Sequence, residues 1–390
     1  MPKRPAHIAM IGVSAVSHIL PGLEIIRELT VRGHRVTYAN DPSVADLITP
    51  TGAEVVPCRS TLPTDDNIWP DDPIAAMSLF LDNAVQALPQ LRAAYDQDPA
   101  DLYLYDIGAY AARALAESQQ RPLLQLSPTY VAWSDYDNDM AAQLWQLPGA
   151  DVYRNRFSHW LAESGATTTD VDEFSGRPAR ALALIARAMQ PHAEQVDNQA
   201  VTFVGPCLRT GAERGTWTRP SDAGKVLLIS LGSSYTRQPE FYRQCLAAYG
   251  DLPGWHVVLQ IGKHTDPQEL GRIPANVEVH SWVPQLAILE QADAFVTHAG
   301  MGSSGEGLLT GVPMIAVPQG AEQFINADQL VSLGIARRID TADADAISLR
   351  TALLELTADP EVAHRCATLR AETLAQGGTE RAADLIEAMV

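Results

Sequence analysis

The residues best equipped for chemistry stand between Trp282 and Glu306. Thr297-His298-Ala299-Gly300-Met301-Gly302-Ser303-Ser304 follows a short apolar run and leads into a helical one, so its amides can converge on an anion with a helix dipole behind them. His298 and Ser303 add side-chain donors to such a site. One helical turn on, Glu306 can accept hydrogen bonds from both hydroxyls of a ribose, as acidic residues do in other nucleotide sites. Upstream, Trp282 offers a flat face for a base, with the Val283 backbone placed to read its edge, and one such stack is worth about 1–3 kcal/mol. A core tryptophan after a strand is the plainer alternative. The chemistry indicated is capture of a ribonucleoside diphosphate. Leu231-Gly232-Ser233-Ser234 makes a second, weaker candidate phosphate turn. His18, in Ser17-His18-Ile19-Leu20-Pro21, has the near-neutral ionisation that suits a general base.

Each of these turns needs a strand behind it and a helix ahead. Residues 7–13 are mostly apolar and strand-like, Leu23, Ile26, Leu29 and Val31 form one face of a helix closed by Gly33, and residues 35–39 read as the next strand. That is a βαβ unit and implies a parallel sheet. The alternation continues through strands at 54–56, 102–105 and 123–126 and helices at 75–91 and 110–118. It restarts with strands at 226–230, 255–261, 277–279, 294–297 and 314–317 and helices at 241–249, 284–291 and from 305. Helical segments at 349–356 and 381–389 finish the chain. Between the halves, residues 205–224 are crowded with Gly, Pro, Thr, Arg and Asp and have no apolar periodicity. The expectation is an α/β protein with a Rossmann-like domain at 1–208, a linker at 209–219, a second Rossmann-like domain at 220–370 and a C-terminal helix at 371–390, the two parallel sheets facing across a cleft.

Bulk composition narrows the partners. A chain of 390 residues is longer than one average domain. Its 28 basic against 47 acidic side chains give a net charge of −19, which repels nucleic acid and anionic lipid alike, so neither is an expected partner. Cys58, Cys207, Cys245 and Cys366 form no C-x-x-C pair and read as buried thiols, with neither zinc nor disulfides expected. No apolar run reaches the length of a bilayer and no signal-peptide core follows Met1, so a cytoplasmic location is expected. The acidic triplets Asp135-Tyr136-Asp137 and Asp137-Asn138-Asp139 are assigned to solvent, and no metal is expected.

Trp282-Val283-Pro284-Gln285, Leu289, the turn at 297–304, Glu306, Gly311-Val312-Pro313, Pro318 and Glu322-Gln323 together resemble the donor-binding signature of the nucleotide-sugar glycosyltransferases. With Asn276-Val277-Glu278-Val279-His280 and the segment 372–388, the whole chain is similar to the macrolide glycosyltransferases, Streptomyces-type antibiotic-inactivating enzymes related to plant and human UDP-glycosyltransferases. The resemblance implies a GT-B fold in which 1–208 binds the acceptor, 220–370 binds the nucleotide sugar and the final helix crosses back to the first domain. It implies donor contacts from Ser233, Trp282, Val283, Gln285, His298, Gly300, Gly302, Ser303 and Glu306, with Glu322 and Gln323 on hydroxyls of the transferred sugar. His18 matches the family's catalytic base, although Ser17 and Leu20 stand where glycine and asparagine are usual, and Asp106 matches the carboxylate that orients it, with Asp101 as the alternative. A bulky apolar acceptor would need walls such as Ile19, Met77, Phe80, Tyr130, Trp133, Tyr136, Met140 and Trp145. The implied reaction is metal-independent, inverting transfer of a hexose, glucose from UDP-glucose, to a macrolide hydroxyl, giving a β-glycoside. No cofactor beyond the nucleotide-sugar co-substrate is implied, and a monomer or homodimer is expected.

Other classes leave different marks. A nicotinamide oxidoreductase would carry G-x-G-x-x-G after its first strand, and residues 13–22 contain no such spacing. A sugar-nucleotide epimerase of the same fold, a dTDP-deoxysugar transferase of antibiotic biosynthesis and a non-catalytic sugar-nucleotide-binding protein all remain compatible with the motifs.

Overall fold

The computed structural model describes residues 5–64, 69–136, 142–208, 215–221, 223–232, 235–320 and 322–390. It divides into two compact units. The first comprises Met1–Ile185, His192–Leu208 and Gln376–Val390, and the second Ala186–Pro191 and Arg209–Ala375.

The first unit runs β1 (His7–Ile11), α1 (Val16–Val31), β2 (Arg35–Asn40), α2 (Ala45–Ile48), β3 (Glu54–Pro57), α3 (Pro73–Tyr95), β4 (Leu102–Asp106), α4 (Tyr110–Ser118), β5 (Leu123–Ser127), α5 (Ala142–Leu144), α6 (Ala150–Ser164), α7 (Val171–Gly176), β6 (Ala181–Ala183) and β7 (Val201–Phe203). Its seven strands are parallel, in the order β3-β2-β1-β4-β5-β6-β7. Helices cover both faces, which is why the central strands read as unbroken apolar runs. The second unit continues with β8 (Lys225–Ser230), α8 (Pro239–Tyr249), β9 (Trp255–Gln260), β10 (Val277–His280), α9 (Gln285–Leu289), β11 (Ala294–Thr297), α10 (Met301–Thr310), β12 (Met314–Ala316), α11 (Gln323–Ser332), β13 (Ala336–Arg338), α12 (Ala346–Ala358) and α13 (Pro360–Ala375). Its strands are also parallel, ordered β10-β9-β8-β11-β12-β13.

Both sheets reverse their strand order once, between β1 and β4 and between β8 and β11. In open α/β sheets such switch points open a crevice at the carboxyl ends of the strands, where ligands bind. Pairing of Ile11 with Tyr105 and of Ser230 with Thr297 sets the loops beyond those strands side by side within each unit.

The last helix, α14 (Gly378–Glu387), belongs to the first unit, the return beginning at Gln376 after α13. Ala382, Ala383 and Ile386 are buried in one core with Ile26 and Leu29 of α1. At the rim of that contact Arg32 binds Asp384 at 2.6 Å and Glu387 at 3.2 Å. Two elements give no periodic signal in the sequence: β13 is only three residues long, and α11 turns Phe324 and Ile325 to solvent, 38% and 45% exposed. All four cysteines are buried thiols. Among the described residues no helix is long and apolar enough to cross a membrane.

Candidate active site

In the first unit β1 ends at Ile11, and a short turn leads into α1, whose first turn carries His18. The neighbouring strand β4 ends at Asp106. Strand order therefore joins side chains 88 positions apart: His18 Nδ1 lies 2.9 and 3.1 Å from the two Asp106 carboxylate oxygens. The Asp106 side chain is 2% exposed and also accepts the Gly108 N–H at 2.8 Å, while His18 keeps 26% of its side chain accessible. A buried, anchored carboxylate on Nδ1 fixes the ring and stabilises the imidazolium that forms when Nε2 takes a proton. Asp101 lies at the opposite end of β4, where its carboxylate accepts the His7 N–H at 2.9 Å, so it cannot serve His18.

Of the expected acceptor walls, Phe80 comes closest to this pair. A Cβ added at Gly108 would stand 3.0 Å from the Phe80 ring and 3.3 Å from Asp106 Oδ1. Phe80 stacks on Trp69, and Met77, one turn earlier on α3, packs half-buried on the same core. Ile19 is corrected: it has no exposed surface and points into the core with Met10, Leu23 and Leu104. The helix rotates each successive residue by a fraction of a turn, which carries Ile19 to the sheet side and leaves Val16 and Leu20 exposed instead. Trp133 is almost wholly buried against Tyr136 and His192. Tyr130 and Tyr136 are half-buried, as is Trp145, which stacks on Tyr153. Met140 lies outside the described residues.

In the second unit the loops after β8 and β11 adjoin. The His298 ring lies against two glycines: a Cβ at Gly232 would stand 2.7 Å from its Cε1, and one at Gly300 2.4 Å from its Nε2. Ala299 between the motif residues adopts φ +60°, uncommon for a residue with a Cβ. The turn is held by buried Asn326, which donates to the Ala299 carbonyl at 2.8 Å, and by Thr297 Oγ1, which accepts the Ala299 N–H. Gly300 then caps α10 without a side-chain bond, so the first-turn amides face an incoming anion, and a Cβ at Gly302 would meet nothing within 4 Å. Burial pushes the His298 imidazole down to about 4, against the opposing pull of Ser230 backbone, so it is neutral at pH 7.

Gln285 ties Glu306 to Ser303. Its Nε2 donates to Glu306 Oε2 at 2.6 Å and to Ser303 Oγ at 3.2 Å. Burial pushes the Glu306 carboxyl up to about 7, and the Gln285 bond pulls it back only in part. Trp282 is 68% exposed, which rules out the core alternative for this residue. At Val283 the N–H is taken by Gln260 Oε1 at 3.2 Å, so the carbonyl is the backbone group left for a base edge. Glu322 is exposed at the start of α11. Gln323 is 4% exposed and its Oε1 accepts the Gln319 N–H, which fixes the side-chain amide. Ser233 lies outside the described residues.

Gln260 was not foreseen. Ending β9, it donates to the Gly232 carbonyl at 2.9 Å and accepts from Val283, joining the loop after β8 to the loop after β10. The one signal in the sequence is a polar residue closing the apolar strand Trp255–Gln260. Among the described residues no group of three His, Cys, Asp or Glu side chains is arranged to hold a metal.

Comparison with known proteins places this geometry. The family described as "Erythromycin biosynthesis protein CIII-like, C-terminal domain" matches residues 243–389. The oleandomycin glycosyltransferase of Streptomyces antibioticus is 52% identical, over 98% of this chain and 91% of the relative. The NDP-glycosyltransferase YjiC of Bacillus licheniformis is 34% identical over 98% of both chains. Among solved structures, the glycotransferase of kitacinnamycin superposes with a TM-score of 0.92 at 52% identity, covering 99% of each chain. The calicheamicin glycosyltransferase CalG4 superposes at 0.89 with 32% identity, over 99% of this chain and 98% of its own.

Proposed function

The chain belongs to the GT-B glycosyltransferase family of the oleandomycin glycosyltransferase, and on that premise we propose that it moves glucose from UDP-glucose onto a macrolide hydroxyl with inversion, giving a β-glycoside. The observation that carries the reading is the His18–Asp106 contact, an imidazole backed by a buried carboxylate at a switch point. His18 Nε2 takes the acceptor proton as the acceptor oxygen attacks the anomeric carbon. The bond from that carbon to the donor diphosphate breaks, and the electron pair leaves with the phosphate oxygen. Charge developing there is met by the α10 amides, His298 and Ser303. Trp282 stacks on the base, Glu306 accepts from the ribose, and Glu322 with Gln323 holds the sugar. With one base, and no carboxylate nucleophile assigned among the described residues, a single displacement is the simplest path, and a single displacement inverts.

The test is incubation with UDP-glucose, dTDP-deoxysugars and a panel of macrolides, read by mass spectrometry. A hexose added to a macrolide is expected. Deoxyhexose transfer alone would move the donor to dTDP sugars, donor conversion without an acceptor would make the protein an epimerase, and donor binding without turnover would make it a silent binding protein.

A further inference from the structure

Strand order sets β11 between β8 and β12, yet the loop after β8 meets the loops beyond both. Its Gly232 lies against the His298 ring beyond β11. Tyr235, three residues on, reaches the loop beyond β12, where a Cβ added at Gly320 would stand 3.4 Å from the phenol oxygen and 3.7 Å from ring atoms Cε1 and Cζ. That loop leads into Glu322 and Gln323. Tyr235 is 36% exposed, and among the described residues no hydrogen bond engages its hydroxyl.

Both loops are braced. Thr236 is buried and packs so closely on Gly262 that a Cβ there would collide with it, and its carbonyl accepts Thr265 Oγ1 at 2.7 Å and the Gln238 N–H at 2.9 Å. On the other side Gln319 donates its N–H to Gln323 Oε1 at 2.9 Å and its side-chain amide to the Val317 carbonyl at 2.8 Å and to Thr341 Oγ1 at 3.0 Å. The phenol is thus placed by fixed neighbours while the residue stays exposed. An exposed tyrosine on a loose loop would be surface and nothing more. One braced at the carboxyl ends of parallel strands stands where open α/β sheets take their ligands.

We propose that the Tyr235 hydroxyl hydrogen-bonds a hydroxyl of the transferred sugar. The inference rests on the reading that this unit binds a nucleotide sugar with Glu322 and Gln323 on the sugar. A phenol both donates and accepts, as a sugar hydroxyl does, and its ring orders only two side-chain torsions, so the contact costs little entropy. Glycine at 320 suits the arrangement, because a larger residue would fill the space beside the phenol oxygen. Contact with the loop that carries Glu322 and Gln323 assigns the phenol to the sugar and not to the diphosphate.

The experiment uses the full chain as wild type and Tyr235→Phe, with calorimetric binding of UDP-glucose and of UDP and the melting temperature of each free protein. Tyr235→Phe removes one oxygen atom from an exposed side chain. It is expected to leave Tm unchanged, to weaken UDP-glucose about fivefold, as loss of one neutral hydrogen bond does, and to leave UDP affinity unchanged. Equal weakening of UDP would move the phenol to the diphosphate and overturn the proposal. A lower Tm with both ligands weakened would also overturn it, marking the hydroxyl as structural. If wild type binds UDP but not UDP-glucose, the glucose-donor reading falls and takes the inference with it; if wild type binds both and the variant binds both equally well, only the role of Tyr235 falls.

Discussion

If Glu306 holds the donor ribose as proposed, donor binding is pH-dependent. The Glu306 carboxyl is pushed up to about 7 in the free protein by burial, yet it must be ionised to accept from two ribose hydroxyls. Binding below pH 7 therefore releases a proton, and affinity is divided by roughly 1 + 10^(7 − pH): about 30-fold at pH 5.5, about twofold at pH 7 and nearly nothing at pH 8. UDP-glucose is the ligand to use, because the terminal phosphate of free UDP would itself titrate near pH 6 and confuse the slope. His298, down near 4, does not titrate in the free protein across this range. Calorimetry from pH 5.5 to 8 should show tightening with rising pH in wild type and loss of that component in Glu306→Gln, which should bind about 10- to 100-fold more weakly at pH 8 for want of a charge-assisted acceptor. The linkage has the opposite sign for the empty protein. A carboxyl raised from its usual value near 4.5 favours the folded state less and less as pH climbs to about 7, so Glu306→Gln should raise Tm at pH 8 and change it little at pH 5. A wild-type profile identical to that of Glu306→Gln would refute the assignment of Glu306 to the ribose.

The other expectations follow from single contacts. His18→Ala should lower kcat by about 100-fold or more with UDP-glucose affinity intact, and Asp106→Asn should share that pattern in steady-state and binding assays; near-normal turnover would remove the dyad from catalysis. Gly300→Ala puts a Cβ 2.4 Å from His298 Nε2 and should weaken UDP-glucose at least tenfold. Gly302→Ala meets nothing in the free protein and should stabilise α10 by about 0.5–1 kcal/mol, read as a higher Tm, while blocking close approach of the diphosphate. Activity should survive EDTA and the product should be the β-anomer by proton NMR; an α-product, or activity lost to EDTA and restored by magnesium, would overturn the mechanism.

Much of the fold is legible in the chain because the signals are local. Apolar runs ending in Gly- or Ser-bearing turns, then amphipathic helices, give two parallel-sheet units, and the phosphate turn at 297–304 shows its chemistry in the residues themselves. Ser303 and Glu306 lie in the first two turns of α10, and Trp282 stands exposed in the loop between β10 and α9. Helix phase is less legible. Ile19 belongs to an apolar loop-to-helix stretch, and only the packing of α1 on its sheet decides that it points inward while Leu20 points out.

The rest is non-local. Nothing near His18 in the sequence selects Asp106 over Asp101; the order β1-β4 does, because it sets one end of β4 beside the α1 turn and sends the other end away. The same holds for the Val283 amide, whose occupation by Gln260 depends on β9 lying beside β10. The sequence by itself determined which residues have the chemistry and which turns present them, since both are properties of a few neighbouring positions. Strand order and side-chain hydrogen bonding decided which of those residues meet, because they arise only when segments tens of positions apart are packed together.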